Sequence, residues 1–463
     1  MTTLVYGLAV AGASVARALV ARDDDVIAVD DEVTPERAAL ADELGLALVA
    51  APNDEELDRI VAGCALVVPS PGVPEHHRVV RSAQRLGVEL ASEIELAYRW
   101  EQQRPGGPRP MVAVTGTDGK TTTTLMAVAM LRAAGLRTVD AGNTETPLVD
   151  AIERDLDAIV VECTSFRLAW TPTFRTVAAA WLNLAPDHLN WHRSMATYEA
   201  AKAQIWANQT PDDAAIGFVD DPVVMRRLRD APGRQRTFGA GGADYRIEHA
   251  GTPDAVLVGP GGPIAAVSTM RRSLPHDLTN ALAASAMVLE AGLCTADAIG
   301  DALAGFTGPP HRLEHVGTWQ DVAWFNDSKA TTPHAAAAAI RSFEHVILIA
   351  GGYDKGVDLG PMARDLGRID AVVALGDTAD AVVAAFAGIG RIERAHDLGD
   401  AVERAARLAG PGATVLLSPG CASFDLFRSF EDRGDRFRAL VQDLPRSDQH
   451  PDQHPDQHDG ATT

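Results

Sequence analysis

The stretch Val114-Thr115-Gly116-Thr117-Asp118-Gly119-Lys120-Thr121-Thr122 follows an apolar run and opens a helical one. Successive backbone N–H groups at such a turn, backed by a helix N-terminus, form a concave anion site. In that setting Lys120 reaches the outer phosphates of a nucleotide. The Thr121 hydroxyl ligates Mg2+, which takes hard oxygen donors. Val114 stands where the general phosphate loop has glycine, so the pattern is a narrower variant. Gly116, Thr117, Asp118, Gly119 and Thr122 complete the candidate ATP cradle.

A weaker glycine turn, Gly7-Leu8-Ala9-Val10-Ala11-Gly12, lies between the apolar run Leu4–Tyr6 and a helical stretch, Ala13–Ala21. Asp30 ends the next apolar run, where a ribose-binding carboxylate would stand. Taken alone the turn fits a dinucleotide site, hence an NAD-dependent oxidoreductase, or a tight turn that binds nothing. Asp448 begins a DQHP/DQHD repeat whose histidines, His450, His454 and His458, fall four apart. Metal binding is one reading, but the prolines oppose a helix that would present the imidazoles together, so a disordered tail is expected.

These residues need a scaffold, and the apolar runs supply one. Strand, glycine turn, helix and strand at the N-terminus make a βαβ unit. Ala65–Val68 is a further strand, running into Pro69-Ser70-Pro71-Gly72. Residues 102–110 have the composition of a linker, and Gly308-Pro309-Pro310 marks a second boundary. Beyond it, apolar runs at Val346–Ala350, Ala371–Leu375 and Thr414–Leu417 alternate with Ala-rich helical segments. The expected architecture is α/β in three domains. Residues 1–108 and 309–446 are Rossmann-like. Residues 109–308 form a central P-loop ATPase-type parallel sheet flanked by helices, and 447–463 are the tail.

The bulk composition narrows the function. The 463 residues are 46% hydrophobic and 22% charged, as in an ordinary globular chain, and carry a net charge of −22 from 63 acidic and 41 basic residues. So acidic a surface argues against nucleic acid or anionic membrane as partner. The four cysteines, Cys64, Cys163, Cys294 and Cys421, form no CxxC motif, which fits reduced thiols in a cytoplasmic protein. No apolar run approaches the roughly 20 residues needed to cross a bilayer. A soluble cytoplasmic monomer is expected.

Downstream of the phosphate loop an ordered set of motifs appears. They are Gly142-Asn143, Glu162-Cys163-Thr164-Ser165-Phe166, Asp187-His188-Leu189-Asn190 and Tyr198-Glu199-Ala200-Ala201-Lys202. His276-Asp277-Leu278-Thr279-Asn280, Pro310-His311-Arg312-Leu313-Glu314 and Asn326-Asp327-Ser328-Lys329-Ala330-Thr331 follow. Gly351-Gly352-Tyr353-Asp354-Lys355-Gly356 and Leu417-Ser418-Pro419-Gly420-Cys421-Ala422-Ser423-Phe424-Asp425 close the set. In this order the chain resembles the Mur ligases, over all three domains to about Leu444. DSKAT and GGxDKG resemble their glutamate-adding branch.

The resemblance implies an ATP-dependent ligation of D-glutamate to UDP-N-acetylmuramoyl-L-alanine, in peptidoglycan precursor synthesis. ATP phosphorylates the precursor carboxylate, and the amine of the incoming amino acid attacks the acyl phosphate. It further implies that Thr121, Glu162, His188 and Lys202 serve the Mg2+ sites, with Lys202 carbamylated. Lys120, Glu162, His188, Lys202 and Lys329 are the implied catalytic set, and Asn280, Arg312 and Asp327 join the loop in holding ATP. Val10, Ala11, Asp30, Ser70, Gly72 and Asn143 fall at UDP-precursor positions. Thr331, Lys355, Ser423 and Phe430 fall at glutamate positions. Read without the resemblance, Glu162 is a cap or salt-bridge carboxylate, Lys202 a solvated lysine, and Ser423 and Phe430 plain packing.

Some residues depart from the family pattern. Asp118 and Asp277 replace asparagines, Thr144-Glu145-Thr146 follows Asn143, Cys163 and Arg167 flank Glu162, and Asp31-Glu32 follows Asp30. These leave open L-glutamate or another amino acid as substrate, as in other Mur ligases or folylpolyglutamate synthases. A non-catalytic nucleotide-binding regulator is the rival outside enzymes, and Lys120, Glu162, His188 and Lys202 together argue against it.

Overall fold

The computed structural model describes residues 2–447; the histidine repeats lie outside the described residues. The chain falls into two compact units, Met1–Phe306 and the residues from Thr307 onward.

The first unit carries two sheets. One has five parallel strands in the order Ala47–Ala50, Val26–Asp30, Thr3–Tyr6, Leu66–Pro69 and Glu89–Leu90. The three middle strands are Val-, Ile- and Leu-rich and almost wholly buried, as sheets covered by helices on both faces require. Strand order reverses between Thr3–Tyr6 and Leu66–Pro69, so the turns that follow them diverge and open a crevice at the carboxyl edge. The Gly7–Gly12 and Ser70–Gly72 turns sit there.

The other sheet has nine strands. From one edge they run Thr138–Gly142, Ala158–Glu162, Met111–Thr115, Ala178–Trp181, Ala214–Phe218, Arg234–Gly239 and Tyr245–Glu248, all parallel. Val256–Gly259 and Gly262–Ala266 then add an antiparallel hairpin. The sheet is therefore mixed at one end, where the sequence suggested parallel strands throughout. Its turn is Pro260-Gly261, and a short Gly/Pro-rich hairpin reads as loop because its apolar runs are only a few residues long.

The linker-like stretch between the two sheets is tied down. Arg109 is buried and donates through Nε and Nη2 to the two carboxylate oxygens of buried Glu101, at 2.8 and 2.6 Å. It also donates to the carbonyls of Ile152 and Arg154. Bidentate pairing of this kind fixes geometry as well as charge.

The second unit has six strands, ordered Glu314–Trp319, Val322–Asn326, Thr414–Leu417, Val346–Ala350, Ile369–Ala374 and Ile392–Arg394. All are parallel except Glu314–Trp319, an antiparallel edge strand on Val322–Asn326. The turns after Val322–Asn326, Val346–Ala350 and Thr414–Leu417 share one carboxyl edge. They carry Asp327–Thr331, Gly351–Lys355 and Ser418–Ser423.

Candidate active site

In the first unit the buried strand Met111–Thr115 feeds the phosphate loop, and the helix Lys120–Ala133 begins directly after Gly119. Gly119 has φ +85°, and a Cβ there would lie 2.6 Å from Asn280 Oδ1 and 3.1 Å from Leu182. Both the backbone and the space demand glycine. Asn280 also accepts from Thr123 Oγ1 at 3.2 Å, which seats it against this loop.

The loop is pinned by a residue the sequence reading did not single out. Asn183 Oδ1 accepts from the N–H groups of Thr117 and Asp118, both at 2.9 Å, and Asn183 Nδ2 donates to Asp118 O at 3.2 Å. The Thr117 hydroxyl reaches Tyr198 OH at 3.1 Å, and burial pushes that phenol up to about 12. The signal for Asn183 was a polar residue just past the buried strand Ala178–Trp181, the neighbour of Met111–Thr115. Asp118 itself is exposed, which explains how a carboxylate is accommodated in this turn. Thr121, partly exposed, and Thr122, buried, sit in the first helical turn.

Two lysines converge on the loop. Lys120 Nζ donates to the carbonyls of Gly116 and Thr117, at 2.9 and 2.8 Å. Lys202, on the helix Met195–Ala207, donates to the same Gly116 carbonyl at 2.7 Å and is 1% exposed. Burial, reinforced by the charge of Lys120, holds the Lys202 amine well below the ordinary lysine range. It is buried against the phosphate loop and is not a solvated helix lysine.

Glu162 ends the strand Ala158–Glu162 and is 1% exposed. Its Oε1 accepts from Asn143 Nδ2 at 2.8 Å, while its Oε2 is buried without a hydrogen-bond partner. A buried, unpartnered carboxylate oxygen at the carboxyl edge of the sheet that bears the phosphate loop suits Mg2+. That cation is commonly held by one or two carboxylates, substrate phosphates and water. No three His, Cys, Asp or Glu side chains converge as a metal cage among the described residues. His188 has φ +53°, lies against the Phe166 ring at 4.7 Å and stands 3.2 Å from Asp187. Burial, with Lys120 and Lys202 against the pull of Asp187, keeps its imidazole below the ordinary value and so favours the neutral form.

In the first sheet, both Asp30 oxygens are engaged internally. Oδ2 accepts from Leu8 N at 2.7 Å, and Oδ1 accepts from Glu32 N and Arg37 Nη1. Asp30 thus shapes the glycine turn. Ser70 Oγ donates to Gly7 O at 2.6 Å, and a Cβ on Gly12 would lie 1.8 Å from that same oxygen. The helix Val10–Val20 starts without a side-chain cap, with Val10 75% exposed and Ala11 buried, so its first N–H groups remain for an anion. Nothing lies within 4 Å of a Cβ built on Gly72. Asp277 is buried and paired with Arg272 at 3.0 Å, which accounts for a charge at that helical position.

In the second unit, Asp327 Oδ1 accepts from Leu313 N and Oδ2 from Ser418 Oγ. His311 and Leu313, at φ +59° and +42°, flank Arg312, so that arginine is presented on a strained turn. Lys329 Nζ lies 5.6 Å from the centre of the Phe430 ring, Ser423 is buried, Thr331 is partly exposed and Lys355 is exposed. Beneath them is Arg433, which the sequence reading missed. It is 1% exposed, and its hydrogen bonds go to Ser328 Oγ and O and to the carbonyls of Cys421 and Ala422.

Comparison with known proteins shows the family. The family model for the Mur ligase middle domain matches residues 114–288, and that for the Mur ligase glutamate ligase domain matches residues 311–421. The UDP-N-acetylmuramoylalanine–D-glutamate ligase of Frankia casuarinae is 43% identical over 96% of this chain and 94% of its own length. That of Myxococcus xanthus is 38% identical over 95% and 98%. The crystal structure of the UDP-N-acetylmuramate–alanine ligase from Thermotoga maritima covers 95% of this chain and 99% of its own. Its TM-score of 0.56 at 20% identity speaks to the fold. With near-full-length relatives at this identity and both family models in order along the sequence, the chain belongs to the Mur ligase family.

Proposed function

We propose that this chain joins D-glutamate to UDP-N-acetylmuramoyl-L-alanine at the expense of ATP, through an acyl phosphate on the precursor carboxylate. The observation that carries the reading is the first unit's carboxyl edge, where a phosphate loop with Lys120 shares a sheet with a buried carboxylate, Glu162, one oxygen of which has no hydrogen-bond partner. Gly116, Thr117, Asp118, Gly119, Thr121, Thr122 and Asn280 cradle ATP there, and Arg312 and Asp327, on the second unit, are further ATP residues. The reaction brings a carboxylate onto a γ-phosphate, so anions meet, and Lys120 offsets that charge. Mg2+, held by Glu162 with Thr121 and His188, supplies further charge neutralisation when bound.

A neutral Lys202 amine is what carbamylation requires, and burial favours that form. The resulting carbamate, formed from the amine and CO2 with loss of a proton, would place an anion beside Gly116. A 13C resonance from labelled bicarbonate that disappears in Lys202→Ala tests this. Val10, Ala11, Ser70, Gly72 and Asn143 hold the precursor, with Asp30 shaping the turn. Thr331, Lys355, Ser423 and Phe430 receive glutamate, and Lys329 serves the reacting groups. We place the enzyme in the cytoplasm as a monomer, which light scattering in solution tests.

The decisive experiment is ATP-dependent phosphate release with UDP-N-acetylmuramoyl-L-alanine and each of D-glutamate, L-glutamate and other amino acids. Release with D-glutamate alone is the expected result. Release with L-glutamate would overturn the enantiomer, and none with either would overturn the substrate pair.

A further inference from the structure

Asn143 grips Glu162 twice. Its backbone N–H donates to Glu162 O at 2.9 Å, and its Nδ2 donates to Oε1 at 2.8 Å. The preceding Gly142 packs so closely that a Cβ would lie 2.6 Å from the Glu162 carbonyl oxygen. The other end of the Asn143 amide is also taken: Oδ1 accepts from Arg167 Nη1 at 2.9 Å. Arg167 is buried and stands 3.5 Å, Nε to Oε2, from Glu93, itself 2% exposed. Glu93 Oε1 accepts from Val149 N at 2.8 Å.

The chemistry of this row fixes its direction. A guanidinium donates and never accepts, so Asn143 must turn its oxygen toward Arg167 and its NH2 toward Glu162. Asn143 is otherwise exposed, and an exposed amide held at one end only would exchange partners with water. Held at both ends, it occupies Oε1 and leaves Oε2 as the oxygen without a hydrogen-bond partner. We infer that Arg167, anchored by Glu93, is a positioning residue that sets Asn143 so that Glu162 presents Oε2 to a divalent cation. This rests on the reading of Glu162 as the Mg2+ carboxylate. Arg167 acts through Asn143, and its contribution is to the geometry of the metal site.

The test uses the full chain and four proteins: wild type, Arg167→Met, Arg167→Gln and the double variant Glu93→Gln/Arg167→Met. Mn2+ binding in the presence of a non-hydrolysable ATP analogue is measured by electron paramagnetic resonance. The Mg2+ concentration for half-maximal activity, the KM of the precursor and Tm are measured beside it. Groups that orient metal ligands matter about 10-fold or more when lost, and Arg167 is one bond further out, so about a 5-fold weakening of Mn2+ is expected in Arg167→Met. The Mg2+ requirement rises in step, and the precursor KM rises with it, because Asn143 is also a precursor residue in the proposed function. Arg167→Gln, whose amide can still donate to Asn143, recovers part of the affinity.

The double variant removes both buried charges together, so it regains Tm over Arg167→Met while its Mn2+ affinity stays low. That split separates positioning from folding. Wild-type Mn2+ affinity in the double variant would overturn the inference. So would a rise in precursor KM with metal affinity unchanged, which would make Arg167 a substrate contact. If the wild type binds no Mn2+ with the analogue, the reading of Glu162 falls and this inference with it. A failure confined to the choice of amino acid leaves the metal measurement standing.

Discussion

Lys120 and Lys202 donate to the same oxygen, the carbonyl of Gly116, at 2.9 and 2.7 Å. Two ammonium groups on one acceptor repel each other, and only Lys202 is almost fully buried. The cheaper way to relieve that repulsion is for the buried amine to lose its proton, the direction in which Lys202 is shifted. The proximity of Lys120 therefore favours the neutral amine that carbamylation needs.

A stability prediction follows from the sign of that shift. Lys202 holds a proton less tightly folded than unfolded, so above its folded-state value the unfolded chain binds more protons. Wild-type stability then rises with pH toward the ordinary lysine range. Lys202→Met removes the effect. In carbon-dioxide-free buffer the variant should melt higher than wild type near neutral pH, by on the order of 2 °C for about 1 kcal/mol in a chain of this size. The gap should narrow as pH approaches 10, and activity should be lost throughout. A variant that melts lower than wild type at every pH would contradict the account.

Much of this site was legible in sequence, and the reason is local. A phosphate loop is one strand, one turn and one helix start, so its residues are contiguous and their chemistry can be read from spacing. Glu162 was legible because it closes an apolar strand, and Asp327 only through the resemblance of Asp327-Ser328-Lys329-Ala330-Thr331 to the family motif. Asn183 and Arg433 were not. Asn183 meets Thr117 across 66 residues, and Arg433 meets Ser328 across 105. Strand order brings these partners together, and no periodicity reports it. The hairpin at Val256–Ala266 was missed for a different reason: its strands are short and rich in glycine and proline.

Gly119→Ala tests the loop's backbone. A methyl group would meet Asn280 Oδ1 at 2.6 Å, and φ +85° adds strain of about 1 kcal/mol or more. ATP binding, followed by a fluorescent nucleotide, should weaken by at least about 10-fold, because the helix N-terminus must shift to relieve the clash. Unchanged affinity would mean that the loop is more pliable than its contacts suggest.

Asn183→Ala removes the acceptor that orders the N–H groups of Thr117 and Asp118. Leaving those donors without their partner should cost about 1–3 kcal/mol of stability. It should also reduce the rise in Tm that ATP produces, because ordering the loop then has to accompany binding. An intact ATP-induced shift in a destabilised protein would assign Asn183 to folding alone.

Arg433 is a buried cation whose hydrogen bonds all go to neutral oxygens, and burial pulls its guanidinium down to about 10. Its fork binds Ser328 in one turn and the carbonyls of Cys421 and Ala422 in another, holding Lys329 and Ser423 at a fixed separation. A lysine has the charge without the planar fork and would satisfy fewer of these acceptors. Arg433→Lys should therefore destabilise the second unit by about 2 kcal/mol, the cost of one or two buried acceptors left unmet. Among the substrates, glutamate should show the largest rise in KM, since Ser423 and Phe430 flank this fork, whereas Val10, Ser70 and Asn143 belong to the other unit. Equal rises for glutamate and the UDP-linked precursor would show that Arg433 only holds the fold together.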